Sequence, residues 1–200
     1  MQLDFTTLAP LDAYRWLTST VTPRPIAWVS TRAESGISNL APFSFFQVIS
    51  SDPPTLLINV GLKDGSPKDT ARNAQETGEL VVQLVNAGQA EAMNASAASL
   101  AHGLSEFEHC GIACEPSQRV NVPRVTGAPV AFECRVAQIL PYPAHSPNCQ
   151  LIFAEVLIAH IDDAVLDARG RVDPARLDVV GRLGGAAYSY TRERFEMQRP

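Results

Sequence analysis

The stretch from Thr22 to Phe46, TPRPIAWVSTRAESGISNLAPFSFF, carries the pattern that decides the fold class. Residues 26–31, IAWVST, are rich in side chains that favour β-strands, and the polar RAESG that follows ends in a glycine typical of a turn. A second strand is predicted near 38–46. The stretch therefore predicts an antiparallel β-hairpin close to the N-terminus.

Further apolar runs along the chain indicate more strands. They are bounded by glycine, proline or other turn residues, and they cover residues 55–61, 79–85, 129–140 and 149–161. The turn-rich PYPAHSPN between the last two runs predicts that they form an antiparallel pair. Helices are predicted over 66–78, which has start and stop signals at its ends, and over 87–101.

Six or more strands in hairpin order, with few helices, indicate a mainly β fold: an antiparallel β-barrel, closed or nearly closed, with a few short helices. A doubly wound α/β fold is disfavoured. With 200 residues, 46% of them hydrophobic, the chain has enough apolar material for one core, so we expect a single domain over 1–200. Residues 181–200, rich in glycine and charge, are expected to form an arm on the surface or on a partner subunit.

Composition excludes several classes of partner and location. The net charge of −5, without a basic run, argues against binding to nucleic acid, because that binding depends on clustered lysine and arginine. The N-terminus does not resemble a signal peptide, and no apolar window is long enough to span a bilayer. We therefore expect a cytoplasmic protein without a membrane segment, whose four cysteines are reduced.

The common catalytic and metal-binding signatures are missing. There is no G-x-G-x-x-G after a strand, no Walker-type loop and no His-Glu-x-x-His, and the His and Cys residues of 102–114 match no standard zinc spacing. We therefore assign no metal site and no catalytic side chain. His160, within an apolar strand, is expected to be a hydrogen-bonded structural residue.

Lys68, Asp69 and Thr70 fall at the start of the helix predicted over 66–78. Free backbone N–H groups and the positive end of the helix dipole favour a phosphate there, and Lys68 adds a full positive charge. A common alternative is that Ser66 or Asp69 simply caps the helix.

Three ordered motifs resemble the flavin reductase-like family of FMN-binding split-barrel proteins. They are PRPIAWVST at 23–31, NLAPFS at 39–44 and KDT at 68–70. The segments AFEC at 131–134 and GRLGGAAY at 181–188 also follow the family pattern, so the resemblance covers nearly the whole chain. It implies a six-stranded split barrel that forms a homodimer with the flavin at the subunit interface.

The resemblance also implies which residues bind the flavin. The ring would be bordered by Asn39, Leu40, Ala41, Pro42, Phe43 and Ser44. The phosphate and the ribityl chain would be held by Ser30, Thr31, Arg32, Lys68, Asp69 and Thr70. Trp28 is a further candidate for a wall of this site. The alternatives are that Trp28 and Phe43 belong to the core, that Arg32 solubilises a turn and that Asn39 serves turn geometry.

The implied activity is reduction of FMN by NADH or NADPH, with reduced flavin or electrons passed to a partner monooxygenase or another acceptor. The flavin itself would carry the chemistry. Three alternatives stay open: a flavoredoxin-like FMN carrier without nicotinamide turnover, a member of the pyridoxamine-phosphate-oxidase branch, and a barrel that has lost flavin. Residues 101–118 carry no recognisable nicotinamide fingerprint.

Overall fold

The computed structural model describes residues 1–200 and is mainly β with a few short helices. The strands are β1 (Arg24–Pro25), β2 (Ala27–Arg32), β3 (Ser38–Phe43), β4 (Phe46–Ser51), β5 (Pro54–Gly61), β6 (Glu79–Gln83), β7 (Cys114–Glu115), β8 (Arg124–Val125), β9 (Val130–Tyr142), β10 (Cys149–Ile161), β11 (Val180–Arg182) and β12 (Tyr188–Tyr190). The α-helices are α1 (Pro10–Thr20), α2 (Asp69–Thr77), α3 (Ala90–Ala95), α4 (Glu106–His109) and α5 (Pro174–Leu177).

Seven strands form one antiparallel sheet in the order β3-β2-β6-β9-β10-β5-β4. The mainly β fold with few helices is confirmed, but the split barrel of six strands, closed or nearly closed, that the sequence predicted is wrong in strand number and in closure, because β3 and β4 remain the two edges of an open sheet. The difference arises where one strand was predicted over 38–46. The chain leaves β3 at Phe43 and starts β4 at Phe46, and β4 pairs with β5 as an additional strand. The exposed, mixed sequence of β4 gives it little strand signal.

Several predicted elements are confirmed. The β2–β3 hairpin forms, and the two long runs form the antiparallel pair β9–β10. The helix predicted over 66–78 is α2, which ends at Gly78 with φ of 70°, a conformation that suits glycine. The helix predicted over 87–101 is shorter, a 3₁₀ turn at Ala87–Gln89 followed by α3.

Both faces of β2 are buried, in two different cores. Ala27 and Val29 belong to the larger cluster, which also takes in Ala71 and Ala74 of α2. Trp28 faces the opposite way, into a cluster with Leu40 of β3, because successive side chains of a strand point to opposite faces. The β2–β3 hairpin is therefore fixed from both sides.

A fully buried carboxylate, Glu133 of β9, ties a loop to the sheet. It accepts hydrogen bonds from the backbone N–H groups of Gln118 and Arg119, at 2.8 and 2.6 Å, and from the imidazole of His160 on β10. Burial alone would raise the pKa of Glu133, but these three donors hold it below its ordinary value. The expectation that His160 is a hydrogen-bonded structural residue is confirmed.

Arg24 of β1 joins three separate parts of the chain. Its guanidinium donates to the carbonyls of Thr18 and Val21 at the end of α1, both at 2.7 Å, and to the carbonyl of Leu183 at 3.1 Å. It also approaches Ser44 Oγ at 3.4 Å. The C-terminal segment is thereby held against α1 and β1.

The region predicted as an arm, 181–200, starts as part of a small sheet. Strands β11 and β12 pair with each other, and β11 pairs with β1. Gly184 packs so closely that a Cβ there would lie 2.5 Å from Ser19 Oγ. Residues 191–200 have no regular structure, and nearly all of them are exposed.

Helix α1 and strand β4 form a surface with several exposed apolar side chains. We call this surface the α1–β4 face, and its exposed side chains are Leu11, Tyr14, Leu17, Val21, Phe45, Val48 and Ile49. The rings of Tyr14 and Phe45 lie 6.3 Å apart, so the helix lies close to the residue that precedes β4. No helix of the chain is both long and apolar enough to cross a membrane.

We expect Arg24→Ala to lower the free energy of unfolding by about 2–4 kcal/mol, because it leaves three backbone carbonyls without their donor. Urea denaturation followed by circular dichroism measures this. Arg15→Ala is the matched control, since Arg15 is an exposed arginine of α1 whose pairing with Asp12 contributes little. Equal stabilities for the two variants would contradict the role of Arg24.

Candidate functional site

A cavity of about 480 Å³ opens between the end of β3, the start of α2 and the segment that follows α3. Its volume lies within the range of small-molecule sites. It is lined by Asn39, Ala41, Pro42, Phe43, Lys63, Asp64, Ser66, Pro67, Lys68, Asp69, Thr70, Arg72, Ser96, Ala97, Ala98, Ser99, Leu100, His102 and Glu106. The lining is mostly polar, with apolar side chains contributed mainly by β3 and the segment after α3.

Two buried hydrogen bonds fix α2 against the β2–β3 hairpin. Asn39 Nδ2 donates to Thr70 Oγ1 at 2.9 Å, and Asn73 Nδ2 donates to Thr31 Oγ1 at 3.1 Å. All four side chains are buried. These bonds set the distance between the floor of the cavity, on β3, and the start of α2.

The start of α2 is open to a ligand. Lys68 is the N-cap residue, and no side chain accepts a hydrogen bond from the first backbone N–H groups of the helix. The Lys68 side chain lines the cavity and forms no hydrogen bond or ion pair with the protein. Free N–H groups, the positive end of the helix dipole and an ammonium group together favour a bound anion.

A charged cluster stands at the rim of the cavity beside this helix start. Asp69 accepts from Arg72, and Asp69 Oδ1 lies 2.8 Å from His102 Nδ1. Arg72 also donates to the carbonyl of Pro67 at 3.1 Å. The cluster joins the segment that covers the cavity, where His102 lies, to the first turn of α2.

The open edge of β3 forms another border of the cavity. Pro42 has no N–H, and the N–H of Leu40 donates to Glu106 Oε2 of α4 at 2.8 Å. Burial raises the pKa of Glu106, whereas the bond from Leu40 acts in the opposite direction. These two features prevent β3 from pairing with a further strand, and they place the Glu106 carboxyl group next to this edge.

The structure brings one part of the expected binding residues together around the cavity: Asn39, Ala41, Pro42, Phe43, Lys68, Asp69 and Thr70. Phe43 is also a member of the larger core cluster, so it serves both. Asn39 lies within β3 and bonds to Thr70.

The other expected residues lie behind the lining or away from it. Trp28 is fully buried and does not line the cavity, but its indole N–H donates at 2.9 Å to Oγ of Ser96, which is a lining residue. Thr31 acts on α2 through Asn73. Leu40 is buried in the second core.

Ser30 and Arg32 bond to the loop that follows β7. Ser30 Oγ donates to the carbonyl of Pro123 at 2.7 Å, and Arg32 donates to the carbonyls of Gly36 and Asn121 at 2.9 and 3.2 Å. Neither residue lines the cavity. Ser44, likewise outside the lining, accepts from Arg24.

Sequence reasoning missed several lining residues, among them Arg72, His102 and Glu106. Arg72 lies one turn beyond the KDT motif, so its position in the helix was the available signal. His102 and Glu106 come from a segment without regular periodicity, and only the folded chain brings them to β3 and α2. No group of three or more His, Cys, Asp or Glu side chains is arranged to hold a metal ion.

Comparison with known proteins agrees with this architecture. The profile of the flavin reductase like domain matches residues 19–176. A protein of Deinococcus radiodurans is 44% identical over 204 residues, which cover 98% of this chain and 88% of that protein.

Two crystal structures are also similar. Nitrilotriacetate monooxygenase component B from Bacillus cereus superposes with a TM-score of 0.94 at 32% identity, covering 98% of each chain. The 2-nitrobenzoate 2-nitroreductase NbaA of Pseudomonas fluorescens superposes with a TM-score of 0.88 at 31% identity, covering 100% of this chain and 96% of that one. The chain therefore belongs to the flavin reductase-like family and has its split-barrel type of fold.

Proposed function

We propose that the protein is an FMN-binding oxidoreductase that is reduced by NADH or NADPH and passes reduced flavin or electrons to a partner. The observation that carries this proposal is the uncapped start of α2, with the unpaired Lys68, at the mouth of a cavity bordered by β3. Membership of the flavin reductase-like family supports it.

The residues present fit FMN in their chemistry. The N–H groups at the start of α2 and the Lys68 ammonium would hold the phosphate, with Thr70 beside them. Asn39, Ala41, Pro42 and Phe43 would border the ring with a mixture of polar and apolar surface. Of the three residues of β2 expected at the phosphate, Thr31 supports α2 through Asn73, whereas the side chains of Ser30 and Arg32 bond to carbonyls of the 121–123 loop.

When bound, the flavin supplies a ring that can accept a hydride, so that no acid or base of the protein is compulsory. The task of this chain is then to bind, orient and shield. The segment 96–102 covers the cavity, and the contacts among Asp69, Arg72 and His102 hold it to α2.

The electron acceptor is proposed to be a monooxygenase or another redox partner. The similar Bacillus cereus protein is a component of a monooxygenase, which supports a separate partner for this chain. The similar Pseudomonas fluorescens protein is a nitroreductase, which supports reduction of a small molecule. The alternative is a flavoredoxin-like carrier, which keeps its flavin and does not react with nicotinamides; anaerobic reduction by NADH or NADPH distinguishes the two.

We further propose a homodimer with the flavin near the subunit interface. The α1–β4 face is the feature that supports it, because monomeric proteins seldom leave apolar patches of this kind uncovered. Phe45 of this face follows directly after the segment of β3 that borders the cavity, so a partner on the face would come close to the site.

Lys68→Ala should weaken FMN binding about tenfold or more, because it removes a charged donor to the phosphate. Riboflavin, which lacks the phosphate, should bind the variant and the wild type equally. Quenching of flavin fluorescence measures both affinities. Lys63→Ala is the matched control, since Lys63 also lines the cavity but lies outside α2. An equal loss for FMN and riboflavin would refute the phosphate site.

Anaerobic addition of NADH, and in a separate cuvette NADPH, to the FMN-loaded protein should bleach the visible flavin absorbance. The faster nucleotide identifies the donor. Free FMN at the same concentration is the control for reduction in solution. Bound flavin that neither nucleotide reduces would leave only the carrier, and a protein that takes up no FMN would overturn the whole proposal.

Val48→Glu, on the α1–β4 face, should convert the expected dimer to a monomer in sedimentation velocity, because it places a charge in the apolar contact. Val172→Glu, in the loop before α5, adds the same charge to an exposed valine outside the face and should leave the dimer intact. A wild-type protein that sediments as a monomer at micromolar concentration would exclude the interface.

A further inference from the structure

Glu106 is an unusual buried carboxyl group. Only 7% of the residue is exposed, and it forms no ion pair. Its one hydrogen bond to another residue of the chain is the bond that Oε2 accepts from Leu40 N–H. Removing a carboxylate from water costs free energy unless a cation or several donors compensate.

The second buried glutamate of the chain shows the ordinary solution. Glu133, which is fully buried, receives two backbone N–H groups and an imidazole. Glu106 accepts from the N–H of Leu40 and from its own backbone N–H; of its charged neighbours, Asp69 raises its pKa and His109 lowers it, and burial outweighs the favourable contributions. The environment of Glu106 therefore does little to compensate its charge.

The position of Glu106 suggests why a charge is kept there. Its carboxyl lines the same cavity as Asn39, Ala41 and Phe43, at the open edge of β3. Capping the Leu40 N–H needs only a neutral acceptor, which glutamine would provide with the same length. A carboxylate in place of an amide adds a negative charge to a partly enclosed cavity, where charges interact more strongly than in water.

We propose that Glu106 sets the reduction potential of the bound flavin, by placing a negative charge beside the part of the cavity that holds the ring. This inference rests on the proposed function. Reduced flavin is anionic near neutral pH, and oxidised flavin is neutral in its ring. A nearby carboxylate therefore weakens binding of the reduced form relative to the oxidised form, lowers the potential and makes the reduced flavin a stronger reductant.

The test compares the midpoint potentials of FMN-loaded variants, measured anaerobically by equilibration with a reference dye. About pH 8 is suitable: burial raises the pKa of Glu106, so the measurement is made far above the ordinary pKa of a carboxyl group. In Glu106→Gln, the affinity for reduced relative to oxidised flavin should rise about tenfold. For a two-electron couple, that change raises the potential by about 30 mV.

Two further variants make the result specific. Glu108→Gln removes a charge from an exposed position of the same helix and should keep the wild-type potential. Glu106→Asp keeps the charge and should also stay close to wild type. If Glu106 served only to cap the N–H of Leu40, its variants could differ in stability. The Gln and Asp variants would then have the same midpoint potential.

A wild-type potential in Glu106→Gln would overturn the inference and leave Glu106 as a cap for the edge of β3. If the Gln variant does not fold, Glu106→Met takes its place as the neutral variant: a potential about 30 mV above that of Glu106→Asp supports the inference, and equal potentials of these two variants overturn it. A wild-type protein that binds no FMN, seen as the lack of a visible flavin spectrum, refutes the proposed function itself.

Discussion

The candidate site depends on the two buried amide–hydroxyl hydrogen bonds that seat α2 on the β2–β3 hairpin. Asn39 bonds to Thr70 and Asn73 bonds to Thr31, so one bond comes from each strand of the hairpin. Ala71 and Ala74 lie between them in the larger core. Because buried polar groups are costly without partners, these bonds allow few other positions for the helix. The helix start, Lys68 and the floor on β3 therefore face one cavity.

The edge of β3 shows how one local feature serves both folding and chemistry. An open edge with unpaired N–H groups invites pairing with other chains. Here Pro42 removes one donor and Glu106 occupies another. The residues that protect the edge are also lining residues of the cavity, so the same positions that keep the sheet from extending determine the polarity of the site. The uncovered α1–β4 face lies at the other edge strand of the sheet.

The prediction of strands and of the helix start rested on local signals and succeeded where those signals are strong. β5, the β9–β10 pair and the start and end of α2 all have apolar runs or capping residues within a few positions. β4 and α1 were missed, since β4 is a mostly exposed edge and α1 leaves much of its apolar surface uncovered.

Arg24 belongs to the PRPI motif, yet its observed role is to bind carbonyls of α1 and of the C-terminal segment. Sequence spacing carries no information about such distant partners.

By itself, the sequence determined the mainly antiparallel β architecture, the family and the part of the candidate cavity that lies in two short motifs, because the lining residues within 39–43 and 68–70 are neighbours along the chain. Only the tertiary structure decided that β2 contributes support rather than lining, that the sheet has seven strands with open edges, and that Glu106 and His102 join the cavity. These features depend on which side chains meet across the fold. A strand buried on both faces, such as β2, gives the same sequence pattern whichever face looks towards the site.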